Sequence, residues 1–192
     1  MRRRDFLLML GAGAAPAFGA GADPDAGALW QRLRSGGLVL LVRHAATDPG
    51  IGDPPGFRLG QCATQRNLSE AGRLDARALG AAVQSHGVKI GPVWSSRWCR
   101  CLDTARLAFG RVELEPLLDS TFHVDEAAAR ARLAALGTRL AGLRLTDNLV
   151  MVTHDVNIRA MAGESVAQGE VVVARIGGGG RLEPLGRLRV RA

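Results

Sequence analysis

The chain contains the stretch LVLLVRH at residues 38–44, in which five apolar residues precede Arg43 and His44. A second apolar run, LVMVT at residues 149–153, leads directly to His154. Short runs rich in leucine and valine are typical of strands that are buried on both faces of a parallel sheet. Such sheets bind ligands beyond the carboxyl ends of their strands. We therefore expect His44 and His154 to share one crevice.

Further strands and helices alternate along the rest of the sequence. Patterning predicts an amphipathic helix after Ser69 and a strand at 92–96 that ends next to Arg97. The other predicted elements are a short helix over 25–34, a helix over 97–109, a brief strand over 112–114, a long helix over 125–143, and two strands joined by glycines over 170–190. This order predicts an α/β fold, a three-layer α/β/α sandwich with a mainly parallel central sheet.

The first 22 residues differ in composition from everything that follows. Arginines at positions 2–4 precede an apolar run and a stretch rich in glycine and alanine. This pattern is typical of a signal peptide, and Arg3, Arg4, Phe6 and Leu7 resemble the core of a twin-arginine export signal. We expect a mature domain over 23–192 in the periplasm, without stable membrane insertion. An uncleaved anchor is the alternative.

The charge balance favours anionic small-molecule substrates. The formal net charge is +7, and arginine supplies nearly all the positive charge because Lys89 is the only lysine. Arginine binds oxyanions in a planar fork and keeps its proton, so the bias fits phosphate-bearing substrates, such as a phosphorylated small molecule or glycan, or anionic surfaces. With 4% aromatic residues the chain offers no stacking platform for nucleic acid, and we expect no nucleic-acid partner.

Three cysteines bear on the compartment. In an oxidising periplasm Cys62 could bridge to Cys99 or to Cys101, and three reduced thiols are the alternative. A zinc site with His123 is not expected, because no paired spacing of metal ligands occurs. We expect no metal and no other cofactor.

Three motifs carry a family resemblance. They are VRHA at 42–45, SSR at 95–97 followed by Arg100 and the Thr104-Ala105 pair, and VTH at 152–154. In order and spacing they resemble the histidine phosphatase superfamily. QRNLS at 65–69 and VNI at 156–158 are most similar to the exported branch that includes lipopolysaccharide core heptose-phosphate phosphatases.

The resemblance implies a role for each matching residue. His44 would be the nucleophile that accepts the phosphoryl group, and Arg43, Arg97 and His154 would surround the transferring oxygens. Arg66, Arg100 and Asp155 are candidates for substrate binding. His86 and His123 lack this context and are expected at the surface.

The proton donor for the leaving oxygen has several candidates. The resemblance favours Asp119, which stands where a carboxylate follows the third strand in the family. Asp155 directly follows His154 and is the alternative, and Glu115 is a more distant third. The family's usual glycine after the nucleophile is Ala45 here, whose methyl group would restrict the approach of the backbone to phosphate.

The chemistry of phosphoryl transfer supports these roles independently. The reaction needs an in-line nucleophile and fixed positive donors on the equatorial oxygens, which arginines supply without a metal. His44 must be neutral to attack, and two nearby guanidinium groups would lower its pKa.

The sequence therefore predicts an exported, metal-independent phosphatase that hydrolyses phosphomonoesters through a phosphohistidine on His44. Envelope sugar phosphates are candidate substrates. The alternative is a phosphate-binding module of the same fold that has lost turnover, and a phosphomutase is a further possibility. A P-loop enzyme is excluded by the absence of its glycine-lysine motif, and a cysteine phosphatase by the spacing of arginine after each cysteine.

Overall fold

The computed structural model of this protein describes residues 26–192. The predicted export signal at 1–22 lies outside the described residues. None of the helices in the described part of the chain combines the length and the apolar character needed to cross a bilayer.

Five α-helices and six β-strands form between residues 26 and 192. In chain order they are α1 (Ala26–Arg34), β1 (Val39–Arg43), α2 (Glu70–Ser85), β2 (Ile90–Ser95), α3 (Cys99–Phe109), β3 (Glu113–Leu114), α4 (Glu126–Ala141), β4 (Asn148–Thr153), α5 (Asp155–Ala162), β5 (Glu170–Ile176) and β6 (Leu182–Arg189). Short 3-10 turns occupy Cys62–Thr64, Pro116–Leu118 and Gly178–Gly180.

All six strands belong to one sheet in the order β3-β2-β4-β1-β5-β6. Only β5 runs against its neighbours, so the sheet is mainly parallel, as predicted. β1 and β4 pair in register, with Val39 opposite Leu149 and Arg43 opposite Thr153. The carboxyl ends of β2, β4 and β1 therefore lie side by side at one edge of the sheet.

Helices cover both faces of the sheet. Side chains alternate along β1, so Leu40 and Val42 pack towards one face while Val39 and Leu41 pack towards the other. The first face is covered by α1, α2 and α3, and the second by α4 and α5. This arrangement confirms the predicted three-layer α/β/α sandwich.

One helix was not predicted from the sequence. α5 directly follows His154, and its sequence DVNIRAMA contains two β-branched residues and an asparagine, which have modest helix propensity. Its stability comes from tertiary packing, since Ile158 is fully buried against the sheet. Other predicted boundaries agree within a few residues, and the Ser69 side chain caps α2 by accepting a hydrogen bond from the Gly72 backbone.

Candidate active site

The two histidines that follow β1 and β4 lie together. The His44 backbone N–H donates to the Thr153 carbonyl, which continues the ladder between the strands up to both histidines. The ring centroids of His44 and His154 are 5.5 Å apart, with the rings at 65° to each other. Both side chains line one cavity of about 430 Å³ at the carboxyl ends of the strands.

His44 presents one ring nitrogen without a proton. Its Nδ1 lies 2.9 Å from the carbonyl oxygen of Ala45. Because a carbonyl only accepts, Nδ1 carries the hydrogen and Nε2 keeps its lone pair. Burial, together with the charges of Arg100 and Arg43, lowers the pKa of His44 to about 3. The imidazole is therefore neutral at physiological pH, as a nucleophile must be.

His154 is fixed in the opposite tautomer. Its Nδ1 lies 3.4 Å from Nη2 of Arg100, and its Nε2 lies 2.9 Å from Oγ of Ser96. A guanidinium only donates, so Nδ1 accepts and Nε2 donates to Ser96. Burial is the main cause that holds the pKa of His154 well below its usual value, and the neighbouring His44 and Arg100 lower this pKa further.

Three arginines line the same cavity, namely Arg43, Arg66 and Arg100. In each of them the Nε–H group is buried and has no hydrogen-bond partner among residues 26–192. A buried donor without a partner is costly, and an oxyanion in the cavity is a partner that guanidinium groups suit. The Arg43 guanidinium group is anchored by its Nη1, which donates to the Val166 carbonyl at 2.6 Å.

Asp53 holds two of these arginines in place, although no pattern in the sequence singles it out. One of its carboxylate oxygens accepts from Nη1 of Arg100 at 2.7 Å and from the Arg66 backbone at 3.0 Å. The other accepts from Nε1 of Trp98 at 2.9 Å. Burial alone would raise the pKa of Asp53, but the hydrogen bond and charge of Arg100 outweigh it and keep the pKa below its ordinary value.

Arg97, predicted beside the transferring phosphate, and Asp119, predicted to protonate the leaving oxygen, pair with each other instead. Nε of Arg97 donates to Oδ2 of Asp119 at 2.7 Å, and its backbone N–H donates to Oδ1 at 2.9 Å. Neither residue lines the cavity, and the Arg97 side chain is 44% exposed. Arg100, one helical turn further on, occupies the place that was expected for Arg97. Asp119 reaches the site only through Ser96, whose hydroxyl donates to Oδ1 at 3.4 Å.

The other candidate carboxylates also have partners. Asp155 lines the cavity, but its oxygens accept from the Val166 backbone at 3.0 Å and from Arg159 at 2.8 Å. These contacts and the nearby charge of Arg43 outweigh the effect of burial and hold the pKa of Asp155 below its usual value. Glu115 pairs with Arg139 at 2.9 Å and does not line the cavity.

The cysteines resolve one of the alternatives left open by the sequence. Cys62 and Cys99 form a disulfide, and Cys101 is free and buried. Burial raises the pKa of the Cys101 thiol to about 12, so the thiol stays protonated beside His154. The disulfide fastens the loop over 45–67 to the first residue of α3, next to Arg100.

The structure also bears on the predictions for the two other histidines, for Ala45 and for metal ligands. His123 is exposed, as expected, but it also lines the cavity, whereas His86 stacks on Trp30 away from it. Ala45 is buried in a small cluster with Leu68 and does not line the cavity, so its methyl group does not narrow it. Within residues 26–192 no group of three or more histidine, cysteine or acidic side chains is arranged to hold a metal ion.

Comparison with known proteins supports the resemblance noted in the sequence. Residues 39–123 match the model of the histidine phosphatase superfamily (branch 1). No curated protein matches the chain.

Solved structures share the fold at low identity. The protein histidine phosphatase SixA, complexed with tungstate, is 16% identical with a TM-score of 0.53, over 79% of this chain and 96% of SixA. A proposed α-ribazole-5′-P phosphatase from Escherichia coli is 17% identical with a TM-score of 0.54, over 81% and 96% of the two chains. TTHB049 from Thermus thermophilus is 24% identical with a TM-score of 0.52, over 80% and 99%. Residues 39–123 are thus similar to the histidine phosphatase superfamily, and the chain shares its fold with these solved structures.

Proposed function

We propose that this protein is a phosphatase that hydrolyses phosphomonoesters through a phosphohistidine on His44. The observation that carries the proposal is that a buried, neutral His44 shares one cavity with three arginines whose buried Nε–H groups have no partner among the described residues. A nucleophile beside several fixed guanidinium groups is what phosphoryl transfer requires of a protein.

The reaction would proceed in two steps. Nε2 of His44 attacks phosphorus, a P–N bond forms, and the bond to the leaving oxygen breaks as that oxygen gains a proton. Water then attacks the phosphohistidine and returns a proton to the group that protonated the leaving oxygen; the P–N bond breaks, and phosphate leaves with His44 restored. Arg43, Arg66 and Arg100 would hold the phosphoryl oxygens through both steps, while His154, whose single N–H donates to Ser96, would lie beside them. We retain Asp119 as the proposed proton donor, as the resemblance implies; in that role it would have to separate from Arg97 and act through Ser96.

The compartment and substrate are also part of the proposal. The twin-arginine-type pattern in residues 1–22 supports export to the periplasm, and the disulfide between Cys62 and Cys99 suits an oxidising compartment. Envelope sugar phosphates are then candidate substrates, by analogy with the exported branch that the sequence resembles.

A phosphate-binding module without turnover is the second candidate. It is favoured by the pairing of both carboxylates, Asp119 with Arg97 and Asp155 with Arg159, which leaves neither free to protonate a leaving group. A binding module would retain the three arginines and bind phosphate, yet it would not release phosphate from an ester.

One experiment separates the two candidates. The purified protein is incubated with 32P-labelled p-nitrophenyl phosphate, and both phosphate release and acid-labile label on the protein are measured. We expect turnover and label in the wild type and in His86→Asn, a matched histidine change away from the cavity, and neither in His44→Asn. Turnover in His44→Asn equal to that of the wild type would refute the phosphohistidine. Binding of phosphate without any turnover in the wild type would favour the module.

A further inference from the structure

A row of aromatic rings extends from the histidine pair to Phe122, and three of its members line the cavity. The Trp98 ring meets His154 edge-on, with centroids 5.4 Å apart. Phe57 lies next to Trp98 at 5.8 Å, and His123 lies next to Phe57 at 6.4 Å. Phe122 completes the row at 4.8 Å from His123. We call these four residues beyond His154 the aromatic wall.

The aromatic wall is a concentration of scarce residues. The sequence contains three tryptophans, five phenylalanines and no tyrosine. Within residues 26–192 there are six of these side chains, and three of the six belong to the wall. Burial of the core does not explain the placement of Phe122, which is 57% exposed and lines the cavity. An exposed aromatic ring beside an anion site suggests contact with a ligand.

The cavity is large enough for more than a phosphate group. Its volume of about 430 Å³ lies within the range of sites that hold a whole small molecule. The cavity is lined by the guanidinium groups and His44 and also by Trp98, Phe122 and His123, of which Trp98 meets the ring of His154 edge-on. An ester whose phosphate contacts the arginines would therefore place its leaving group against the aromatic wall.

We propose that the aromatic wall is a subsite for a ring in the leaving group, so that the preferred substrates are phosphomonoesters of a sugar or aryl ring and not open-chain esters. The inference rests on the proposed function, which it makes more specific. A flat ring face packs against aromatic faces, and a rigid ring loses little conformational freedom on binding. An open-chain leaving group such as glycerol gains neither advantage.

The test measures equilibrium binding by calorimetry in the His44→Asn background, where turnover does not consume the ligand. The probes are phenyl phosphate, glucose 6-phosphate, glycerol 2-phosphate and inorganic phosphate. Phe122→Ala removes the exposed ring of the wall, and Phe122→Leu keeps an apolar side chain without a ring. The matched control is Leu114→Ala, an exposed apolar residue on β3 that does not line the cavity.

We expect Phe122→Ala to weaken binding of a ring-bearing ester by about fivefold to tenfold, with Phe122→Leu intermediate, in keeping with the contribution of aromatic contacts. Binding of glycerol 2-phosphate and of phosphate should change less than about twofold. A loss confined to phenyl phosphate identifies an aryl leaving group, and a loss confined to glucose 6-phosphate identifies a sugar.

Two outcomes would overturn the inference. One is an equal loss for all four probes, which would show that Phe122 supports the phosphate site itself. The other is no loss for either ring-bearing ester. Failure of the proposed function is a separate result, because it appears as absent turnover in the wild type while the binding measurements still report on the subsite.

Discussion

Asp53 and Arg100 form a buried ion pair in which the carboxylate comes from the loop after β1 and the guanidinium from the first turn of α3. Oδ1 of Asp53 lies 2.7 Å from Nη1 of Arg100, and the two side chains are 3% and 5% exposed. Removing one partner of such a pair leaves a buried charge without compensation. Arg100 also contacts His154, so this pair connects the loop to the centre of the candidate active site.

Asp53→Asn should weaken phosphate binding more than it slows chemistry. Loss of the carboxylate frees Arg100 and the Arg66 backbone from their common anchor, and we expect the inhibition constant for phosphate and the KM to rise about tenfold. The matched control is Asp103→Asn, on α3 but outside the cavity lining. Steady-state kinetics with p-nitrophenyl phosphate measures both constants, and unchanged values in Asp53→Asn would contradict the positioning role.

Arg100→Ala should lower kcat/KM more than Arg97→Ala does, although the two residues are only three positions apart. Arg100 lines the cavity and contacts His154, so its loss should lower kcat/KM by about tenfold to a hundredfold. The Arg97 side chain pairs with Asp119 outside the cavity, so Arg97→Ala should lower kcat/KM by a smaller factor. Kinetics of the two variants under identical conditions tests the assignment, and a greater loss in Arg97→Ala would restore Arg97 to the role expected from the sequence.

The disulfide should contribute measurably to stability. Cys62 and Cys99 are 37 positions apart, and closing a loop of this length is worth about 3–4 kcal/mol in the chain-entropy description. Cys62→Ala, Cys99→Ala and the double variant should all lose the same free energy of unfolding in urea, because each removes the same bond. Losses that add in the double variant would show that the thiols act separately.

Stability should fall in acid because His44 is buried in its neutral form. The pKa of His44 is about 3 in the folded protein and 6.5 for a free side chain, so the unfolded state binds more protons between these values. Each pH unit below 6.5 should then cost up to about 1.4 kcal/mol for this residue.

Urea unfolding of the wild type and of His44→Asn at pH 7 and pH 4.5 measures this cost. The variant should lose less stability on acidification than the wild type does. Equal losses of unfolding free energy in the two proteins would show that groups other than His44 cause the acid sensitivity.

The proposed proton donor can be tested by leaving-group dependence. A proton donor speeds the departure of a strongly basic alkoxide, whereas the weakly basic p-nitrophenolate leaves without being protonated. Asp119→Asn should therefore lower turnover of glycerol 2-phosphate at least about tenfold more than turnover of p-nitrophenyl phosphate. Asp155→Asn, which loosens Arg43 and the Val166 backbone, should affect both esters alike. The reverse pattern would identify Asp155 as the donor.

Much of the fold could be predicted because burial leaves a direct pattern in sequence. The apolar runs over 38–42 and 149–153 are buried on both faces, and such strands show no alternation with polar residues. The Ser69 cap of α2 is likewise a local signal. α5 was missed because its stability depends on Ile158 packing on the sheet, which no local pattern reveals.

Topology predicted the part of the candidate site that lies at strand ends, and the family resemblance pointed to Arg66, Arg100 and Asp155, which all line the cavity. His44 and His154 lie at the ends of two adjacent parallel strands, so topology brings them together. Arg97 has the same position after β2, yet its side chain turns to Asp119, while Arg100 reaches the cavity from the next turn. Which side chain of a helix faces the cavity, and which carboxylate an arginine pairs with, depend on contacts between segments far apart in the chain. The position of a residue after a strand does not reveal either.

The amino-acid sequence by itself determined the layered α/β architecture, the two histidines at neighbouring strand ends and the arginine-rich character of the site, because strand burial and residue chemistry are local properties. Only the tertiary structure decided which guanidinium groups share a cavity with His44, which cysteine pairs with Cys62, and that Asp53 and the aromatic wall belong to the same site. Those features depend on how the loops over 45–67 and 119–125 fold back onto the sheet edge, and this is fixed by contacts between residues far apart in the chain.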